Sequence, residues 1–586
     1  MNIFEKKYQL SDRLTVYEKF LTGPHPVMVI PFVDSFSVGL IMHPSNLQGF
    51  PISALTTGGT LAVFIFSLFL ARSGRFTSPW VSALLITLQL LLFRLPFILT
   101  NAPLSEDEDV ILTFGLNLLR NPVIFDTVEP TSQGLIHAYI AMFVEWFSPV
   151  AAYAYSYLHL LSALGCSLCL MLLFLAMKRL FSLPAALAGI SLGLLSLVFT
   201  DDTDFAHYHN EIESLILLSW AIYLLARISP KTSPPLSSII IMGVVLGLVP
   251  YAKLQGVPLA LVLALWALWL IIVGRGEKRR KLMEAGLLAL SGLTPTFIIV
   301  AVLFKFNLLS DAFFYYIRAN WAYGYQFGFL AQVREFLSNM PMQIQISLVI
   351  VLAALTVSYK RIRRLPILYL NLMLFLAGWY AISRPGLFFH HYYSYMLPFI
   401  VGGGALGYYY LDLDLKRKLF QLAVTSSCLF AMIFSGYDID QQLHWGWLKK
   451  IEQSEAARVI SQFASSPDDW LAVWGWYSVL NVETGLPSAT RENHSLSLHS
   501  PLSPYRDQFE KKYVDDLRRF RPIIFVDSKV MNCGPFVPFQ YMPLLNRYIE
   551  DNYVFFRTVP GSAYWDLEPV DIYIRKDRVP KKERSF

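Results

Sequence analysis

Charge is what this 586-residue chain has least of. Only 15% of its residues are Asp, Glu, Lys or Arg, where a soluble globular chain carries about 25%. With 55% apolar residues and a mean hydropathy of +0.46, most of its surface must face lipid. Cysteine is scarce too. Of the four, Cys166, Cys169 and Cys428 lie in apolar runs and Cys533 stands alone in the tail. No disulfide framework follows, and the Cys166/Cys169 spacing reads as two small buried residues and not as a redox pair. No basic run on a polar segment is interleaved with aromatics, which excludes a nucleic-acid interface. The net charge of +6 is assigned instead to basic loops at a membrane surface. Fixed-period repeats and low-complexity tracts are lacking, and the single sequon, Asn493-His494-Ser495, reads as a chance match.

Aromatic residues, by contrast, are plentiful: 13 Trp, 31 Tyr and 43 Phe, which suits interfacial belts. Apolar runs of roughly 17 to 25 residues predict about 12 transmembrane helices. They lie near 53–71, 80–99, 150–177, 184–200, 212–226, 236–252, 256–273, 284–304, 342–358, 366–382, 395–411 and 419–435. One set of alternating loops holds Arg72 and Arg75, Lys178 and Arg179, Arg227 and Lys231, and the cluster Arg275 to Lys281. It continues with Lys360 to Arg364 and Lys416 to Lys418, making 18 basic residues against 6 in the opposite set. The positive-inside rule assigns the first set to the cytoplasm. The loops around residues 100–149, 201–211, 305–341 and 383–393 then share the external face, with everything after about Gly436.

Residues 1–24 are polar and basic. Val27 to Met42 is apolar but broken by Pro31, Asp34 and Ser35, and is read as an interfacial or re-entrant segment and not a cleavable signal. From Trp445 the pattern becomes mixed. Trp470 to Trp474, Pro522 to Asp527, Tyr553 to Val559 and Asp571 to Arg575 predict strands, with a charged helix over Pro504 to Phe520. The expected fold is thus a polytopic α-helical membrane protein with a small external α/β domain. Its parts are a 1–52 polar and interfacial segment, a 53–436 transmembrane region with external loop 100–149, and a 437–586 α/β domain.

Four consecutive carboxylates, Glu106-Asp107-Glu108-Asp109, open the first large external loop. An apolar helix follows, stopped at Arg120-Asn121-Pro122, and a second amphipathic helix runs from Gln133 to Phe147. Acids in a first helical turn gain from the dipole, and an ionised carboxylate at an interface can take a proton from a hydroxyl. The plain alternative is a solvated helix cap.

The string Arg94-Leu-Pro, Asp107-Glu108, Gly115-Leu-Asn-Leu-Leu-Arg120, Asp126 and Glu129-Pro130 resembles the first external loop of GT-C glycosyltransferases. These polytopic enzymes use lipid-phosphate sugars and include protein O-mannosyltransferases and bacterial aminoarabinose transferase. Asp107 lies ten residues before Asn117, the spacing expected of the family's acidic pair. Further patches resemble the family in order and sidedness: Tyr251-Ala-Lys-Leu-Gln-Gly256, Arg384 to Pro398 with His390-His391-Tyr392-Tyr393, and Trp474-Gly-Trp-Tyr477 with Thr484 to Pro487.

The resemblance implies a glycosyltransferase moving a sugar from a polyprenyl-phosphate donor to a glycan, lipid or protein acceptor on the external face of the plasma (inner) membrane. Asp107 or Glu108 would be the base, with inversion in a single displacement. Asp126 and Glu129 belong to the same motif as substrate-binding candidates. Lys253, with Gln255 beside it, Arg384, His391 and Arg318 are candidates for the lipid phosphate, because phosphates attract Arg and Lys. His390 and Tyr392 are added from the late loop.

The second external loop carries Asp202, Asp204, His207, His209 and Glu211, which suit sugar or acceptor recognition. A divalent cation is possible there, although no cofactor is required. Two rivals stand beside this reading: a transporter or flippase of lipid-linked sugars, and an O-antigen polymerase or ligase. Arg94, inside its span, is expected to be paired within the bundle.

Overall fold

The computed structural model describes residues 56–65 and 79–579, apart from 132, 148–152, 229–233, 275, 323–326, 413, 444–450, 452, 467, 500–503, 532–534 and 562–568. The expectations for residues 1–52, for Arg72, Arg75, Lys231 and Arg275, and for Cys533 lie outside the described residues.

Every segment read as a span is helical over most of its described part. In chain order these and the loop helices are α1 (Thr56–Ile65), α2 (Pro79–Leu99), α3 (Glu106–Arg120), α4 (Leu135–Phe147), α5 (Ala154–Leu180) and α6 (Leu183–Leu197). Then come α7 (Glu211–Leu225), α8 (Leu236–Ala252), α9 (Val257–Val273), α10 (Lys278–Lys305), α11 (Phe329–Ser338) and α12 (Met342–Ile362). The series closes with α13 (Pro366–Ser383), α14 (Leu397–Tyr410) and α15 (Asp414–Leu443). Among the described residues, seven helices are long and apolar enough to cross a membrane. The other helices on spans are shorter, so length alone gives fewer crossings than hydropathy does.

The helix ends sort into two faces. At one, Arg179 Nε donates to the Ala226 carbonyl at 3.1 Å, Phe181 packs on Tyr409 and Arg361 lies 3.5 Å from Asp412. Those segments carry the basic loops. At the other, the acidic first loop, the 201–211 loop, Lys253 and the 384–396 loop converge.

The C-terminal region is an α/β layer. Its sheet has order β1-β2-β4-β3, from Leu471–Trp474, Ile524–Asp527, Tyr553–Val559 and Val570–Arg575 numbered in chain order. β1 and β2 are parallel and buried throughout, which explains their unbroken apolar sequence. A parallel pair needs a long crossover, and helix α16 (Arg506–Phe520) lies within it. The β2/β4 and β3/β4 pairs are antiparallel.

This layer is fastened to the first loop by buried amides. Asn117 donates to the carbonyls of Thr127 and Ser488 at 2.8 and 3.0 Å and accepts from the Ser488 N–H at 2.8 Å. Asn493 is 1% exposed and donates to Val110 O at 2.9 Å, so the sequon side chain is part of the packing. Arg491 spans Asp516 and Asp311 at 3.0 and 3.1 Å. Cys166, Cys169 and Cys428 are buried and free. Arg94 is buried, donates to the Leu197 carbonyl and lies 5.4 Å from the Phe97 ring, paired within the bundle.

Candidate active site

Helix α3 begins where its sequence says it should. Ser105 is the N-cap and accepts from the Asp107 N–H at 3.3 Å; all four acids fill the first turn, with Arg120 in the last. The helical twist gives these carboxylates different surroundings.

Glu108 and Asp109 turn inward and are buried. Glu108 Oε2 accepts from the Leu104 N–H at 2.9 Å and meets His159 Nε2 at 3.1 Å, while Oε1 accepts from the Tyr208 N–H at 3.1 Å. Burial alone would raise its pKa, but His159, more distant His207 and the Leu104 N–H outweigh it, leaving Glu108 below its ordinary value. Asp109 accepts from the Tyr155 hydroxyl, and burial drives its pKa well above the carboxylate range. Glu106 is partly exposed, and burial raises it as well. Asp107 is also partly exposed. Among the described residues, the side chain that hydrogen-bonds its carboxylate is Gln133, with Nε2 3.4 Å from Oδ1. The tetrad therefore divides into two buried acids, Glu108 and Asp109, and two partly exposed ones, Glu106 and Asp107, of which Asp107 is the one that bonds Gln133.

The second external loop and the late loop form the opposite wall. His207, His209 and His391 are buried, and their ring centroids lie 5.4 Å from one another. His391 Nδ1 stands 3.0 Å from Asp204 Oδ1, and the His391 N–H donates to Asp204 Oδ2 at 3.1 Å. Burial would lower the His391 pKa, yet Asp204 and Glu211 raise it to about 9. Burial opposes ionisation of Asp204 too, but His391 and His207 hold it below the carboxylate range. His209, against Glu211 at 3.1 Å, is lowered by burial to about 4. Asp202 pairs with exposed His390 at 2.5 Å.

Glu211 also lies 3.1 Å from Lys253 Nζ, close enough for an ion pair although not aligned as a hydrogen bond. Lys253 is 8% exposed, donates to Asn210 Oδ1 at 2.8 Å and lies 5.6 Å from the Tyr392 ring. Among the described residues, two groups offer donor atoms within 4.8 Å of one another, as a divalent ion requires: Asp204, His207 and His391 in this wall, and Glu129, Glu492 and His494 where the α/β layer meets the first loop.

Lys253 opens onto a cavity of about 380 Å³. Its lining combines Lys253, Gln255, Asn320 and Arg384 with Leu254, Val257, Pro258, Ile317, Tyr316, Trp321 and Tyr392. Arg384 donates to the Trp321 carbonyl at 3.2 Å and, among the described residues, has no carboxylate partner. Gln255 donates to Ala381 O at 3.3 Å. A larger cavity, about 670 Å³, lies on the opposite face between α1, α2, α6 and α15 and holds none of the candidate residues.

Of the residues singled out in the sequence, Asp107, Asp204, His207, His209, Glu211, Lys253, His391 and Tyr392 form one contiguous cluster. Gln255 and Arg384 line the cavity with Lys253, whereas Asp202 and His390 line a separate pocket with Thr200 and Gln343. Asp126 is held elsewhere, by Arg519 through two bonds of 2.7 and 2.8 Å; those bonds are the main cause of its lowered pKa. Glu129 is buried against Thr131 near Glu492, where burial and that neighbour raise it strongly. Arg318 is exposed over the Tyr505 ring, at 4.8 Å, and does not line the cavity. All three lie against the C-terminal region: Asp126 at Arg519, Arg318 at Tyr505, and Glu129 near Glu492 and His494.

Sequence reasoning missed Gln133, Asn210, His159 and the buried network of His137, Tyr208 and Glu213. In that network Glu213 Oε1 is 2.6 Å from both His137 Nδ1 and the Tyr208 hydroxyl. The available signal was an ionisable residue inside an apolar helix, which applies to His137, His159 and Glu213.

No protein-family model matches the sequence, and no curated protein matches it. Solved structures do. ArnT from Cupriavidus metallidurans bound to undecaprenyl phosphate is 14% identical, with a TM-score of 0.51 over 86% of this chain and 98% of that one. An oligosaccharyltransferase from Archaeoglobus fulgidus, tethered to an acceptor peptide, is 10% identical with a TM-score of 0.43 over 84% and 74%. The archaeal oligosaccharyltransferase AglB, from the same organism, in complex with an inhibitory peptide and a dolichol-phosphate, is 11% identical with a TM-score of 0.43 over 86% and 74%. The match to ArnT covers most of this chain and nearly all of that one, and this chain shares its fold: a polytopic helical membrane body with a small α/β layer.

Proposed function

We propose that this chain is a membrane glycosyltransferase that moves a sugar from a polyprenyl-phosphate-linked donor to an acceptor hydroxyl. The observation that carries the reading is a partly exposed carboxylate, Asp107, linked through Gln133 and Asn210 to Lys253, which with Arg384 lines a cavity among aromatic and apolar side chains. A lipid phosphate needs that combination of cation and apolar wall. Support for the lipid carrier comes from ArnT, which shares the fold and was solved with undecaprenyl phosphate bound.

Asp107 takes the proton of the acceptor hydroxyl, whose oxygen attacks the anomeric carbon. The bond from that carbon to the phosphate oxygen breaks, and the lipid phosphate departs with the electron pair. Positive charge placed where this anion develops lowers the barrier. Arg384 is the more effective cation of the two, because Glu211 already offsets part of the Lys253 charge. Glu108 has no share in proton transfer, since Leu104, Tyr208 and His159 occupy its oxygens. The excess of basic residues in the opposite loops supports an external site, by the positive-inside rule.

The test is transfer of radiolabel from a polyprenyl-phosphate sugar in membranes containing the full chain. Transfer that Arg384→Ala and Lys253→Met both reduce supports the reading. Movement of the sugar lipid across the membrane with no transfer would instead identify a transporter.

A further inference from the structure

Asp107 and Lys253 are joined by two side-chain amides whose orientation is forced. Lys253 can only donate, so the group 2.8 Å from its Nζ must be the oxygen of Asn210. The Asn210 nitrogen then faces Gln133, donating to its main-chain carbonyl at 2.8 Å and to its Oε1 at 3.3 Å. That leaves the Gln133 nitrogen toward Asp107 Oδ1 at 3.4 Å, where a carboxylate can only accept. Reversing either amide would set N–H against N–H. Every donor in the chain therefore points from the ammonium to the carboxylate.

The chain is shielded and braced. Gln133, Asn210 and Lys253 are 6%, 2% and 8% exposed, so bulk water does not compete for these bonds. Gly134, beside Gln133, has φ +84°, and a Cβ there would lie 2.0 Å from the Ala252 carbonyl oxygen. The first loop thus touches the backbone next to Lys253. On the other side, Glu213 binds His137 of α4 and Tyr208, fixing the segments that carry Gln133 and Asn210.

We infer that Gln133 and Asn210 are positioning residues that hold the Asp107 carboxylate and the Lys253 ammonium at a fixed separation and keep them polarised toward each other. This rests on the proposed glycosyl transfer. Amides do not pass protons, so the chain sets geometry: it fixes how far the attacking hydroxyl stands from the departing phosphate. A base displaced by about 1 Å loses on the order of 10²-fold in rate.

The experiment uses the full chain and a radiolabelled polyprenyl-phosphate sugar, measuring kcat and the KM for the donor. Gln133→Glu keeps the shape and the acceptor for Asn210 but cannot donate to Asp107. It is expected to lose about 10²-fold in kcat, with donor KM changed less than about threefold. Gln133→Leu and Asn210→Leu are expected to fall similarly, and the double variant no further than the worse single one, since the chain is already broken. A Gln133→Glu protein with more than about half of wild-type kcat would overturn the positioning role, as would multiplying losses in the double variant. If Asn210→Leu fails to fold, the near-isosteric Gln133→Glu alone decides. Wild type without transfer would sink the glycosyl-transfer reading and this role with it, whereas active wild type with active Gln133→Glu sinks this role alone.

Discussion

Lys253 Nζ lies 3.1 Å from Glu211 Oε1, and both side chains are buried. A buried pair of this kind is costly to halve, because the survivor becomes an uncompensated charge. Glu211→Gln is expected to destabilise the protein by about 3–5 kcal/mol. Adding Lys253→Met to it should restore much of the melting temperature in detergent without restoring transfer. A double variant no more stable than Glu211→Gln would show that the pair is not energetically coupled.

The α/β layer is held to the first loop by two unequal kinds of contact. Arg519 and Asp126 meet near the surface, with the arginine side chain half exposed, so Arg519→Ala is expected to cost at most about 1 kcal/mol. Asn117 makes three buried bonds, and Asn117→Leu leaves the Ser488 N–H and two carbonyls without their partner. Its expected cost is roughly 1–3 kcal/mol for each group left unsatisfied. Limited proteolysis should therefore release the C-terminal region from Asn117→Leu much faster than from Arg519→Ala.

Glu492 gives the same join a pH dependence. Buried beside Glu129, Arg491, His494 and Ser497, its carboxyl is pushed up to about 7, principally by burial. A carboxyl raised in the folded state favours that state when protonated. Its contribution is therefore present below the ordinary value of 4.5 and is lost as pH rises through about 7. Melting temperature should fall between pH 5 and pH 8 in the wild type and fall less in Glu492→Gln. An identical slope in the two proteins would remove Glu492 as the cause.

Much of the architecture was legible in the sequence because it rests on local pattern. Apolar runs marked the helices of the membrane body, and the apolar segments Trp470 to Trp474 and Pro522 to Asp527 marked the two buried strands. Individual roles within the site were less legible, because they depend on pairings across long stretches of chain. Glu108 and His159 are 51 residues apart, and Gln133 and Asn210 are 77 apart. Nothing local distinguishes Asp107 from Glu108. Only the packing of α3 against the 201–211 loop buries one and leaves the other accessible.

Gly134 tests whether that long-range assembly matters. A Cβ at this position meets the Ala252 carbonyl, and the left-handed φ disfavours any side chain. Gly134→Ala is expected to displace the first loop from Lys253, and to lower transfer by more than it lowers thermal stability. Unchanged transfer in Gly134→Ala would mean the close approach is not required for activity.

The most direct measurement is transfer from a polyprenyl-phosphate sugar by Asp107→Asn beside Glu108→Gln, at matched amounts of folded protein. Loss of a positioned base costs about 10²–10⁴-fold, so Asp107→Asn should fall in that range with its melting temperature near that of wild type. Glu108→Gln should lose stability first and keep transfer in whatever protein remains folded. Full activity of Asp107→Asn, or loss of transfer in stable Glu108→Gln, would contradict the assignment of Asp107 as the base.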